Sequence, residues 1–208
     1  MRRPRLYGHK HGATHVKDFI NFFEPYKIPY LTLYAFSTEN WSRPKAEVDG
    51  IIRLLSKNLD EAVQMALERN MRIKHLGSME RLPVEIQRKA SNAISLTAGN
   101  TGLTVNVAFN YGGRLEIVNA ARRIIADGLV PGTIDEAVFS KYLYTAGMPD
   151  PDLFIRTGGE MRVSNLLIWQ SAYAELYFTN VLWPDFDEKE FKKALDAYAH
   201  RERRFGGL

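Results

Sequence analysis

The sequence predicts an α/β fold, a mostly parallel central sheet flanked by helices, and three observations carry that expectation. Short apolar runs of strand character alternate with amphipathic helical stretches along the chain. Several of those runs are apolar on consecutive residues, as strands covered on both faces are. Those ending at Phe36, Phe109 and Ile155 lead into loops bearing Gly, Ser, Asn, Glu or Arg. Such loops belong at the carboxyl edge of an open parallel sheet, where ligands bind.

Composition sets the frame. At 208 residues and 45% hydrophobic content the chain can bury one substantial core, and it reads as a single domain over 1–208. A net charge of +4 and a pI near 9.2 suit an anionic ligand or an anionic membrane surface, and so mild an excess does not single out nucleic acid. The absence of cysteine excludes a thiolate nucleophile, a disulfide framework and a Cys-based metal site, and accords with a cytosolic protein. No apolar run approaches the roughly 18 residues of a membrane span, and the basic start has no signal-peptide core. The expectation is a cytoplasmic protein, at most peripheral at the inner face of a membrane.

The chain opens on Met1-Arg-Arg-Pro-Arg5-Leu-Tyr-Gly8-His9-Lys10-His11-Gly12, basic and Gly-punctuated, and continues into a helix with Val16, Phe19, Ile20 and Phe23 on one face. Arg5, His9 and Lys10 then lie near a helix amino terminus, where free N–H groups favour an anion. A solvated basic terminus accounts equally for these residues. Pro29 to Phe36 reads as a buried strand, followed by the polar loop Ser37-Thr-Glu39-Asn40-Trp41-Ser-Arg43-Pro44. Pro44 starts a long helix, reaching about Asn70, along which Val48, Ile51, Leu55, Leu59, Ala62, Val63, Ala66 and Leu67 form an apolar stripe. The stripe is either core or the wall of an apolar tunnel.

Met71 to Gly77 is a further strand, Pro83 to about Leu96 a helix, and Leu103 to Phe109 a strand ending in Asn110-Tyr-Gly-Gly-Arg114. The helix after it carries Leu115, Val118, Ala121, Ile124 and Ile125 and stops at Gly128, a C-cap. Leu153 to Ile155 is a short buried strand ending in Arg156-Thr-Gly-Gly-Glu160-Met-Arg162-Val-Ser164. Two arginines and two hydroxyls beside paired glycines suit phosphate: arginine's planar fork matches phosphate oxygens, and Gly-Gly lets backbone N–H groups approach an anion. The competing reading is a surface turn whose arginines pair with Glu160 or Asp152. No G-x-x-x-x-G-K-S/T loop, G-x-G-x-x-G after a strand, G-x-S-x-G elbow or H-E-x-x-H is present, which removes common nucleotide, hydrolase and zinc chemistries. The strand-end loops above an apolar interior point to a ligand with a diphosphate head and a greasy tail.

A set of ordered motifs then carries a resemblance. They are Gly8-His-Lys-x-Gly12, Leu33-Tyr-Ala-Phe-Ser-Thr-Glu-Asn-Trp41-Ser-Arg-Pro44, Gly99-Asn-Thr-Gly-Leu103, Asn110-Tyr-Gly-Gly-Arg114, Ile155-Arg-Thr-Gly-Gly-Glu160, Trp169 to Phe178, Leu182-Trp-Pro-Asp-Phe186 and Arg201 to Gly207. Together they resemble the cis-prenyltransferases, nearest to the bacterial undecaprenyl diphosphate synthases, from about Arg5 to Gly207. The resemblance implies condensation of isopentenyl diphosphate onto farnesyl diphosphate in cis, with Mg²⁺ as cofactor, in a homodimer. It implies that Arg5 and His9 bind the allylic diphosphate, and that Arg156, Arg162 and Ser164 bind isopentenyl diphosphate. It assigns a metal ligand to Glu175. Ser37, Glu39, Asn40, Trp41 and Arg43 fall in a mobile loop that closes over substrate, Asn40 there in a catalytic role. The carboxyl-terminal Arg-Phe-Gly-Gly is expected to complete the partner subunit's site.

One departure accompanies the resemblance. Family members begin with an apolar strand and a Met-Asp-Gly-Asn-Gly-Arg-Trp-Ala loop that supplies the principal catalytic Asp and a phosphate cradle, and this sequence starts after it. The expectation is that these 208 residues alone condense prenyl diphosphates poorly. Either the true start lies upstream, or the chain is a non-catalytic, diphosphate-binding accessory subunit. Retention of Arg156, Arg162, Ser164 and Glu175 favours the first.

Overall fold

The computed structural model describes residues 5–201, the side chains of 5–7 excepted. They fall into two compact units, one up to Glu116 and one from Ile117 onward.

In the first unit, α1 (Arg5–Phe23) buries Phe19, Ile20 and Phe23. Gly8 and Gly12 lie inside this helix and do not punctuate it, so His9 and Lys10 sit about a turn beyond its start. β1 (Tyr30–Ser37) is followed by a short 3-10 helix, Thr38–Ser42, and by α2 (Lys45–Glu68), which Pro44 caps with its fixed φ. β2 (Arg72–Leu76), α3 (Val84–Thr97) and β3 (Thr104–Tyr111) complete a parallel sheet of order β1-β3-β2. In register, Leu33 lies beside Val107 and His75 beside Val107 from the other side. β3 is the central strand and buries nearly every residue, which accounts for its near-continuous apolar character. Phe36, Val48, Ile51, Leu82, Ile86 and Phe109 form a core cluster between sheet and helices, with Phe36 stacked on Phe109 at 5.0 Å between ring centres.

The strand ends are tied by backbone geometry. Gly77 (φ +133°) is held so close to β3 that a Cβ would fall 2.4 Å from the Phe109 carbonyl oxygen, a position only glycine can occupy. Asn110 (φ +52°) then turns β3 toward α4 (Gly113–Ala126), which continues into the second unit.

The second unit contains α5 (Glu136–Ser140), β4 (Leu153–Arg156), β5 (Glu175–Phe178) and α6 (Glu188–Ala199). β4 and β5 pair in parallel, Leu153 opposite Glu175 and Arg156 opposite Phe178. Gly128 (φ +70°) ends α4 as expected, its N–H donating to Ile125 and the next N–H to Ile124. Three elements escaped the sequence reading: α5, β5 and α6. Both helices carry an Asp N-cap, Asp135 accepting from the Val138 N–H at 2.7 Å and Asp187 from the Glu190 N–H at 2.9 Å. Those caps were the available signal.

Candidate functional site

Each unit presents a cluster of donors at the carboxyl end of its parallel strands. In the first, β1 delivers Ser37 at its end and the chain turns at once into the 3-10 helix. The turn is held by its own side chains: the Ser37 N–H donates to Asn40 Oδ1 at 3.0 Å, and the Ser42 hydroxyl donates to the Glu39 carbonyl at 2.7 Å. The Glu39 carboxylate is exposed and accepts from the Thr38 hydroxyl at 3.2 Å. Trp41 turns the other way. Its ring meets Phe36 edge-on at 5.2 Å, the Arg81 guanidinium lies 4.7 Å above it, and its Nε1–H donates to Asn110 Oδ1 at 2.7 Å.

Arg43, extended because Pro44 follows, reaches forward one helical turn. Its Nη1 donates to Glu47 Oε1 at 2.9 Å; the same oxygen lies 3.2 Å from His9 Nε2, and Arg43 Nη1 lies 3.4 Å from that ring nitrogen. With Gly8 these residues line a pocket of about 280 Å³. The Glu47 carboxylate is 11% exposed and its two partners 33%, so a covered anion fixes two donors that still face solvent. A guanidinium carries five N–H donors, more than one carboxylate can take, which suits Arg43 to phosphate oxygens. His9 and Arg43 were expected in the site; Glu47, which joins them, was not. Its signal was the spacing Arg43-x-x-x-Glu47 across a helix start. Arg5 belongs to α1 by its backbone, and its side chain lies outside the described residues.

In the second unit β4 ends on Arg156, followed by a turn with Gly158 at φ +88° and Gly159 at φ +80°. Here the sequence reading needs correction. The Gly158 N–H donates to the Val181 carbonyl at 2.8 Å and the Gly159 N–H to Thr179 at 2.9 Å, so these amides knit the turn to the chain after β5 and do not serve as an anion cradle. A Cβ on Gly159 would also meet Asn180 Oδ1 at 3.0 Å. Arg156 Nη1 donates to the Arg162 carbonyl at 2.7 Å and to Ser164 Oγ at 2.6 Å. Arg162 itself pairs with Glu160, the ion pair foreseen by the surface-turn reading. Ser164, Asn165 and Leu167 all have φ between +46° and +65°, a left-handed run of non-glycine residues that costs about 1–3 kcal/mol each and persists only when surrounding bonds over-determine it. The Arg156 staple is one such bond.

Glu175 begins β5. Its N–H donates to the Asp152 carbonyl at 2.9 Å, and its carboxylate pairs with Arg201, whose Nη2 also donates to the Leu176 carbonyl at 3.0 Å. Among the described residues no group of three or more His, Asp or Glu is arranged to hold a metal ion. Mg²⁺ commonly takes only one or two carboxylates, with water and substrate phosphate oxygens completing the octahedron. Glu175, whose carboxylate is paired with Arg201 here, has the donor chemistry to act as one such carboxylate once that pair opens, and not as part of a preformed protein cage.

Comparison with known proteins gives a consistent answer. A family model described as "Putative undecaprenyl diphosphate synthase" matches residues 1–206. The chain is 48% identical over 203 residues to the isoprenyl transferase of Neisseria meningitidis serogroup A, covering 98% of this chain and 81% of that relative. It is also 48% identical over 207 residues to the ditrans,polycis-undecaprenyl-diphosphate synthase ((2E,6E)-farnesyl-diphosphate specific) of Escherichia coli K12, covering 98% and 82%. The solved structure of lavandulyl diphosphate synthase from Lavandula x intermedia in complex with dimethylallyl diphosphate superposes with a TM-score of 0.92 at 38% identity, over 97% of this chain and 89% of that one.

Proposed function

The chain belongs to the undecaprenyl diphosphate synthase family of prenyltransferases, and on that premise we propose that it condenses isopentenyl diphosphate in cis onto an allylic diphosphate, farnesyl diphosphate, to build a long polyprenyl diphosphate such as undecaprenyl diphosphate. The observation that carries the reading is the presence of a cluster of hydrogen-bond donors in each unit at the carboxyl edge of parallel strands, His9 and Arg43 about Glu47 in one and Arg156, Arg162 and Ser164 in the other. A reaction between two diphosphates needs two such sets of donors. The names of the relatives do not favour the accessory-subunit alternative.

In this reading Arg43 and His9 hold the allylic diphosphate, where negative charge grows as the carbon–oxygen bond breaks. Donors already fixed by Glu47 stabilise that charge without reorganising. Arg5 is assigned to the same group. Arg162 and Ser164 hold isopentenyl diphosphate, and Arg156 both binds it and keeps Ser164 in place. Ser37, Glu39 and Trp41 belong to the segment over the allylic group, and Asn40 keeps its catalytic assignment there. Glu175 would be the carboxylate that holds Mg²⁺, which when bound would supply positive charge to neutralise the leaving diphosphate. In this reading the enzyme works as a homodimer in the cytoplasm, at most peripheral at the membrane; no helix among the described residues is long and apolar enough to cross a membrane.

The test is incorporation of labelled isopentenyl diphosphate with farnesyl diphosphate and Mg²⁺, run on the chain alone and joined to an upstream strand ending in Asp-Gly-Asn-Gly-Arg. Long polyprenyl products support the proposal. Binding of both diphosphates without any incorporation by either form would favour the accessory-subunit alternative.

A further inference from the structure

We propose that Asn110 is a positioning residue for prenyl transfer, acting through Trp41 on the segment that carries Asn40 and Arg43. The proposal rests on the functional reading above.

Asn110 is 4% exposed and sits at φ +52°, a left-handed conformation that asparagine tolerates better than other side-chain-bearing residues. Its amide makes three bonds to two other loops. Oδ1 accepts from Trp41 Nε1 at 2.7 Å, and Nδ2 donates to the carbonyls of Ser78 and Glu80, both at 2.9 Å. The amide's orientation follows from its neighbours, because an indole N–H can only donate and a carbonyl can only accept. The backbone adds a fourth tie, the Ser78 N–H donating to the Asn110 carbonyl at 3.2 Å. One side chain thereby joins the loops at the ends of β1, β2 and β3, where Gly77 already brings the backbones to their closest approach.

Its reach toward the chemistry runs through Trp41. The indole lies between Asn40 and Ser42, with Arg43 next, and its ring is fixed by Phe36 and Arg81. Phe36 and Arg81 contact the ring, and the hydrogen bond from Nε1–H to Asn110 holds its polar edge in one rotamer. Arg43 is consequently held from two sides, by Glu47 ahead of it and by the Trp41 anchor behind it. A donor that must lie within a few tenths of an ångström of a leaving diphosphate gains from such double fixing.

Asn110→Gly removes the side chain while accepting the left-handed backbone, so it separates the amide's role from backbone strain. The chain has three tryptophans, and the indole N–H resonance of Trp41 is assigned by its loss in Trp41→Phe. Asn110→Gly is expected to move that resonance upfield while the other two indole resonances change little, with some loss of melting temperature from the Ser78 and Glu80 carbonyls it leaves unpaired. Affinity for farnesyl diphosphate, measured without isopentenyl diphosphate so that no turnover occurs, should fall by about tenfold in Asn110→Gly, and the double variant should bind no more weakly than Trp41→Phe alone. An unmoved Trp41 resonance overturns the proposal, as do losses that multiply in the double variant, since Asn110 would then act through the Ser78–Glu80 loop or on folding. With every variant made in the joined form, failure of the parent to bind farnesyl diphosphate fells the functional reading and the positioning role with it; parent binding with multiplying losses removes the positioning role alone.

Discussion

Arg156 and Arg162 are alike in the sequence and unlike in the fold. Arg156 bridges the Arg162 carbonyl and Ser164 Oγ and so holds a left-handed loop, whereas the Arg162 side chain is an exposed partner of Glu160. If both bind isopentenyl diphosphate, each Ala variant loses about 1.5–3 kcal/mol of binding, a rise in KM of roughly 10- to 150-fold. Only Arg156→Ala should also lower the melting temperature, because only it releases the strained loop. Steady-state kinetics and thermal unfolding on the two variants check this; equal stability losses would contradict the staple, and unchanged kinetics in both would restore the surface-turn reading. A second residue-scale prediction concerns His75, whose Nε2 donates to the Phe109 carbonyl at 2.8 Å. Burial holds its pKa below the ordinary 6.5, outweighing the hydrogen bond that favours the charged ring. Below about pH 6.5 the unfolded chain then carries more protons than the folded one, so stability is full above that pH and is lost as pH falls toward the lowered folded value. His75→Gln should flatten the decline in melting temperature on acidification relative to the parent, and an unchanged slope would remove His75 as its source.

The apolar stripe of α2 divides into parts with different surroundings. Val48 and Ile51 belong to the core cluster and Ala66 is 1% exposed, with its carbonyl accepting from the Met71 N–H at 2.8 Å and from Asn100 Nδ2 at 3.1 Å. Leu55, Leu59, Ala62 and Val63 are only half-buried and Leu67 is exposed. The core reading therefore holds for Val48, Ile51 and Ala66 and for Leu55, which packs against the core cluster, and the tunnel reading is proposed for Leu59, Ala62 and Val63. Ala66→Leu is expected to cost about 1–3 kcal/mol through overpacking. Ala62→Leu should leave stability nearly unchanged and shorten the polyprenyl product, since each added unit buries several methylene equivalents at about 0.8 kcal/mol each. Chromatography of the products decides; a profile identical to the parent's for Ala62→Leu would defeat the tunnel assignment for this helix.

For the whole molecule, the expectation of a single domain over 1–208 stands as a proposal beside two compact units, each with its own parallel sheet. The residues expected to complete the partner's site, the Arg-Phe-Gly-Gly near the carboxyl end, lie outside the described residues. Homodimer formation predicts a light-scattering mass of about twice 23.8 kDa at concentrations where the enzyme turns over. A monomer mass together with full activity would show that the partner's residues are dispensable.

What the sequence determined alone is local in origin. The continuous apolar run of β3, the periodic stripe of α2, Pro44 at a helix start and Gly128 at a helix end are patterns of a few residues, and physical periods of 2 and 3.6 make them legible. The ordered motifs pointed to the family, and with it to the positions of Arg43, Arg156 and Ser164. Tertiary structure decided which donors are already committed. That the Gly158 and Gly159 amides bond across to Val181 and Thr179, that Glu47 gathers His9 from 38 residues away, and that Asn110 receives the Trp41 indole from 69 residues away depend on chain closure. A hydrogen bond is satisfied by proximity in space, and a sequence pattern records proximity only along the chain.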